Sequence, residues 1–196
     1  SPLQVGQYEA GTEELNKWLT KIYLEGGGGG QNKESYSLAW LFAGRHTSID
    51  CFEKRGEKGF LFTIGDEKTH PELDKETLKD LLGYEFGEDI KAEQLLSEAQ
   101  RMYHVFHLHM HQTPTGKTDS IVQFWKKTLG ERCIVVEDYS NLAEIIASTV
   151  AVVRGADLKD VVSDFDHQIA GQVTNALVHL AASKSLINKK EGIVTL

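Results

Sequence analysis

Phe60-Leu61-Phe62-Thr63-Ile64 is an uncharged run closed by Gly65-Asp66-Glu67, a turn that carries two acids. A short, continuous apolar run bounded by turn signals reads as a strand buried on both faces, the form that strands of parallel sheets take. The carboxyl end of such a strand is where open α/β sheets place their sites, so Asp66 and Glu67 become candidate functional residues.

Toward the carboxyl terminus, apolar strands alternate with amphipathic helices. Lys91 to Met102 reads as a helix, Tyr103 to His111 as a strand, Thr118 to Leu129 as a helix, Cys133 to Glu137 as a strand and Ser140 to Val153 as a helix. From Leu158 to about Leu186, Val161, Val162, Phe165, Ile169, Val173, Ala176, Leu177 and Leu180 keep a helical repeat, which predicts one long C-terminal helix within residues 156–187.

Toward the amino terminus, Glu34 to Lys54 reads as one helix with Tyr36, Ala39, Trp40, Ala43 and Thr47 on one stripe and Leu41, Phe42 and Ile49 beside it, a width that suggests burial on more than one side. Gly26 to Gly30 precede it. Glu13 to Leu24 carries Leu15, Trp18, Leu19 and Ile22 at helical spacing after a capping Thr12, and Leu3 to Tyr8 reads as a short strand. Strands alternating with helices predict a single α/β domain over residues 1–196, a mostly parallel sheet flanked by helices in three layers.

The composition agrees with one globular domain. The chain has 196 residues, 40% hydrophobic and 26% charged, enough to bury a core. Lys and Arg number 21 against 29 Asp and Glu, a formal charge of −8 without strong basic clusters, which argues against nucleic acid and anionic lipid as partners. No apolar run approaches the roughly 20 residues of a membrane span, and no leader pattern opens the chain. Two cysteines, Cys51 in a helical pattern and Cys133 in a strand-like one, make no disulfide framework; together these features predict a cytoplasmic, reducing location.

Glu25, five glycines, Gln31-Asn32-Lys33-Glu34-Ser35-Tyr36 form a loop that hands over to a helix. Glycines allow close backbone approach to a ligand, and the helix start presents free N–H groups to an anion; the alternative is a flexible linker. The dinucleotide fingerprint does not fit, because Gln31 stands where its third glycine is due.

A glycine-rich loop entering a Glu-Ser-Tyr helix, a strand ending Phe-Thr-Ile-Gly-Asp66-Glu67, and Val135-Val136-Glu137-Asp138-Tyr139-Ser140 followed by Asn141-Leu142 together resemble the later part of a von Willebrand factor A domain. The resemblance spans roughly residues 3 to 153 and rests on short motifs. Gly26 to Glu34 would match the family's second metal-site loop and Ile64 to Glu67 its third. The family's first loop, Asp-x-Ser-x-Ser, has no counterpart here, so the chain either lacks the central strand and first helix, receives them from a partner chain, or carries a degenerate site. A threonine expected in the second loop is also missing, which leaves Gln31 and Asn32 as the nearest oxygen donors.

What the resemblance implies is binding rather than catalysis: a protein–protein interaction or scaffolding module, with Mg²⁺ or Ca²⁺ held by Asp66, Gln31, Asn32 and Glu67 and a carboxylate of the partner protein completing the site. Hard oxygen ligands suit these cations, which keep several waters. The plainer reading of Asp66 is a turn-forming acid after a strand.

Two other motifs predict enzymes. On a strand, His107, His109 and His111 share one face and His104, Phe106, Leu108 and Met110 the other. Three imidazoles predict a zinc-dependent hydrolase, although residues i and i+4 lie about 13 Å apart along a strand, so two could share an ion and a third ligand, Asp66 or His70, must come from elsewhere. His111-Gln112-Thr113-Pro114-Thr115-Gly116-Lys117-Thr118 matches a P-loop except that His111 replaces the first glycine and Pro114 removes an N–H, which predicts at most a degenerate nucleotide site. No nucleophile elbow is present, Trp40, Trp125 and Cys51 read as core, and Glu85 to Glu93 reads as a solvated connection.

Overall fold

The computed structural model describes residues 3–24 and 33–191, and the side chains through residue 183. Its helices are α1 (Thr12–Lys21), α2 (Tyr36–His46), α3 (Asp50–Arg55), α4 (Lys75–Leu82), α5 (Ala92–Met102), α6 (Asp119–Leu129), α7 (Leu142–Val153), α8 (Leu158–Val162) and α9 (His167–Glu191). Its strands are β1 (Lys33–Glu34), β2 (Gly59–Gly65), β3 (Lys68–Thr69), β4 (Glu72–Leu73), β5 (Ile90–Lys91), β6 (Tyr103–Met110) and β7 (Cys133–Val136).

Among these, β2, β6 and β7 form a parallel sheet in the order β2-β6-β7, with Phe62 beside Phe106 and His107 beside Cys133. Because side chains alternate, each face of the sheet seeds its own core. Val105 and Cys133 pack with Trp40 and Leu41 of α2, Leu95 of α5 and Trp125 of α6. On the other face, Phe106, Leu108, Ile134 and Val136 pack with Ile145 of α7 and Val173 and Leu177 of α9. The molecule is thus α/β, with a parallel sheet between two helical layers, as its apolar runs predict. Two small ladders, β1 with β3 and β4 with β5, sit beside it.

Several boundaries differ from expectation. Leu3 to Tyr8 forms no strand: the side chain of Gln4 bonds the backbone of Tyr23 at both its amide nitrogen and its oxygen, so local contacts replace a ladder. Helix α1 stops at Lys21, where Ile22 turns extended, and its apolar stripe faces solvent, with Leu19 67% exposed. The helix expected over Glu34–Lys54 is two helices. Thr47, extended at φ −118°, donates from its hydroxyl to Ala43 O at 2.6 Å and thereby closes α2. The long C-terminal helix is also two: Asp166 accepts the N–H groups of Gln168 and Ile169 and starts α9 afresh after α8. Such side-chain capping competes with helix continuation, and apolar periodicity does not reveal it. Helix α4 stands where the apolar pattern predicts no element: Asp74 caps it by accepting Thr77 N–H, and Gly83 ends it at φ +78°. The glycine loop lies outside the described residues.

Candidate functional site

Three loops leave the carboxyl ends of the parallel strands: Gly65-Asp66-Glu67 after β2, His111 to Thr118 after β6, and Glu137-Asp138 after β7. Side chains tie them together. Thr113 Oγ1 donates to Asp66 Oδ2 at 2.6 Å and accepts Gly116 N–H at 2.9 Å. His111 Nδ1 meets Glu137 Oε2 at 2.9 Å, and Gln112 Oε1 accepts Tyr139 N–H at 3.2 Å.

The Asp66 turn is held from below. Trp125 Nε1 donates to Glu67 O at 2.9 Å, and the Tyr36 hydroxyl lies where a Cβ on Gly65 would come within 1.8 Å of it, so glycine is required by close approach. Burial pushes the Tyr36 phenol above its ordinary range, with Glu34, Asp66 and Glu67 adding to the effect and the Glu67 backbone opposing it. The β1–β3 ladder sets Lys33 beside Lys68 and Glu34 beside Thr69, which brings the chain leaving the glycine loop next to the Asp66 loop. Partial burial, then Glu34 and Asp66, raise the Glu67 carboxyl. Gln31 and Asn32 lie outside the described residues, so of the expected oxygen donors the structure places Asp66 and Glu67. Among the described residues, no group of three or more His, Cys, Asp and Glu side chains is arranged to share a metal ion.

The histidines separate into two environments. His107 and His109 are fully buried on the α6 side of the sheet. Thr63 Oγ1 lies 3.2 Å from Phe106 O and 3.0 Å from His107 Nδ1; with the hydroxyl proton given to the carbonyl, Nδ1 carries the imidazole proton, and Nε2 is buried with no hydrogen-bond partner among the described residues. Burial, reinforced by His109, holds the His107 pKa down to about 3. His109 Nε2 donates to Gly116 O at 2.8 Å, its Nδ1 has no hydrogen-bond partner among the described residues, and burial likewise lowers its pKa. His111 falls beyond the end of β6 and turns to Glu137, so the strand face expected to carry three imidazoles carries two. They act as core: His107 stacks on Trp125 at 3.6 Å between ring centroids.

The loop resembling a P-loop folds on itself. Gly116 N–H goes to Thr113 Oγ1, Lys117 N–H to Thr113 O and Thr118 N–H to Thr115 O, so these amides are not turned out to cradle phosphates. Gly116 serves packing, since a Cβ there would fall 1.9 Å from Met110 O.

A groove of about 570 Å³ opens beside the same edge, between α6 and α9. Its lining includes His111, Lys126, Cys133, Glu137, Asn175 and His179. Burial pushes the Cys133 thiol up to about 11, so it is a protonated, inert floor. Sequence reasoning missed this groove, because its walls come from elements that only tertiary packing brings together. No helix among the described residues is long and apolar enough to cross a membrane. Comparison with protein-family models, with curated proteins and with solved structures finds no match to this chain.

Proposed function

We propose that this chain is a protein-binding module of von Willebrand factor A type, which presents the carboxyl edge of its parallel sheet to another protein and uses Mg²⁺ or Ca²⁺ at Asp66. The observation that carries the reading is the Thr113 hydroxyl bound to Asp66 Oδ2 at 2.6 Å, which holds the carboxylate between the loops after β2 and β6. Asp66 and Glu67 supply hard oxygen donors, and water together with a carboxylate of the bound protein would complete the shell. The locked, neutral His107 and His109 favour a rigid support for a binding surface over a hydrolytic centre.

The test is thermal melting of the purified chain with Mg²⁺ or Ca²⁺ added. A cation that binds the folded state alone raises the melting temperature by mass action. The rise is expected in the native chain and absent in Asp66→Ala. An undiminished rise in Asp66→Ala would remove Asp66 from the site.

A further inference from the structure

The backbone holds Lys33 and Lys68 side by side. They are Cα partners in the parallel β1–β3 ladder, so their side chains leave the same face from points about 5 Å apart. Two bonds fix this ladder: His70 N–H donates to Glu34 O at 3.1 Å, and Ser37 N–H donates to Thr69 Oγ1 at 3.1 Å. Side-chain alternation sends Glu34 and Thr69 to the opposite face. Neither lysine is paired with a carboxylate among the described residues. Like charges directly opposite each other on neighbouring strands repel, so the pair costs stability until an anion comes between them.

A cavity of about 460 Å³ opens on this pair. Among the described residues, Lys33 and Lys68 are the only charged side chains in its wall, in a chain whose net charge is −8. Thr115, Thr118 and Ser120 add three hydroxyls. Thr118 precedes α6, yet its hydroxyl caps no N–H of that helix. Lys68 Nζ lies 6.0 Å from the centroid of the Phe124 ring, a contact that steadies the ammonium without neutralising it.

We propose that this cavity binds a phosphate group, with the two ammonium groups on its oxygens and the three hydroxyls donating to the rest. A tetrahedral dianion matches two cations and several O–H donors, whereas a single carboxylate would leave one lysine unneutralised. Recognition runs through side chains, because the amides of Gly116, Lys117 and Thr118 are spent within their own loop. The cavity exceeds a bare phosphate, and the buried Ile121 gives it an apolar wall. Free phosphate and a small phosphate ester share the chemistry that the lysines read. The site does not depend on a cation at Asp66.

The test is isothermal titration calorimetry of the full chain with inorganic phosphate and with phenyl phosphate. A chelator is present, and salt of about 0.15 M screens long-range attraction. Saturable binding at a single site is expected. Lys33→Gln and Lys68→Gln should each weaken it at least tenfold and Thr118→Val several-fold, with unchanged circular dichroism spectra. Lys117→Gln, at an exposed position outside the wall, should bind as the native chain does. Tighter binding of phenyl phosphate assigns the group to a small ester, and equal or weaker binding assigns it to free phosphate. No saturable binding of either probe, full affinity in both Lys33→Gln and Lys68→Gln, or an equal loss in Lys117→Gln would overturn the proposal.

Discussion

The indole of Trp125 lies against the imidazole of His107, with ring centroids 3.6 Å apart and planes inclined by 12°. Burial beneath this contact, with His109 beside it, disfavours the charged imidazolium, and the His107 pKa falls from 6.5 to about 3. Between those values the unfolded chain takes up a proton that the folded chain refuses. Stability therefore rises with pH in this window, and His107 contributes at most about 1.4 kcal/mol per pH unit. Urea unfolding at pH 7 and pH 5 should show a loss on acidification that His107→Phe reduces, leaving the part due to His109. An identical pH dependence in the variant would contradict the assignment.

Gly116 lies under Met110 O, and the backbone cannot yield as a flexible side chain would. Gly116→Ala should lower stability by about 1–3 kcal/mol, the range for overpacking a tight site. Gly87→Ala meets nothing within 4 Å and should be nearly neutral in the same denaturation experiment.

Thr113 links the β2 and β6 loops through one hydroxyl. Thr113→Val keeps the shape and removes both the bond to Asp66 and the acceptor for Gly116 N–H. A loss of about 1–3 kcal/mol is expected from the groups left unsatisfied, together with a weaker response to Mg²⁺. Chemical denaturation with and without the cation reads both effects.

Cys133 is buried and its thiol is pushed up to about 11, while Cys51 is half-buried. Because the thiolate is the reactive form, iodoacetamide at pH 8 should label Cys51 well before Cys133 in the folded protein. Peptide mass mapping over time checks the order, and faster labelling of Cys133 would contradict the packing of β7.

The parallel strands β2, β6 and β7 and the helices α5, α6 and α7 were legible because each buries one stripe or both faces, and burial writes itself as periodicity, whereas the short helix α4 and the two-residue strands left no such pattern. The breaks after His46 and at residues 163–166 were not legible in that way. They depend on the Thr47 hydroxyl reaching back to Ala43 and on the Asp166 carboxylate capping α9, choices made by single polar side chains against an unbroken apolar rhythm. The site was legible to the extent that strand ends are: Asp66 stands where the run at Phe60 places it. Its partner Thr113 lies 47 residues away, and nothing local marks the pair. The histidine pattern misled through the strand's end, since His111 leaves the face that His107 and His109 share. Burial of the other two then turns candidate ligands into core.

The most direct test of the central claim is an amide NMR titration of the native chain with Mg²⁺ and Ca²⁺. Saturable shifts are expected at Asp66, Glu67, Thr113 and Gly116, with His107 and His109 little changed. Shifts absent from the Asp66 and Thr113 loops, or scattered over the surface without saturation, would contradict a cation-assisted binding edge.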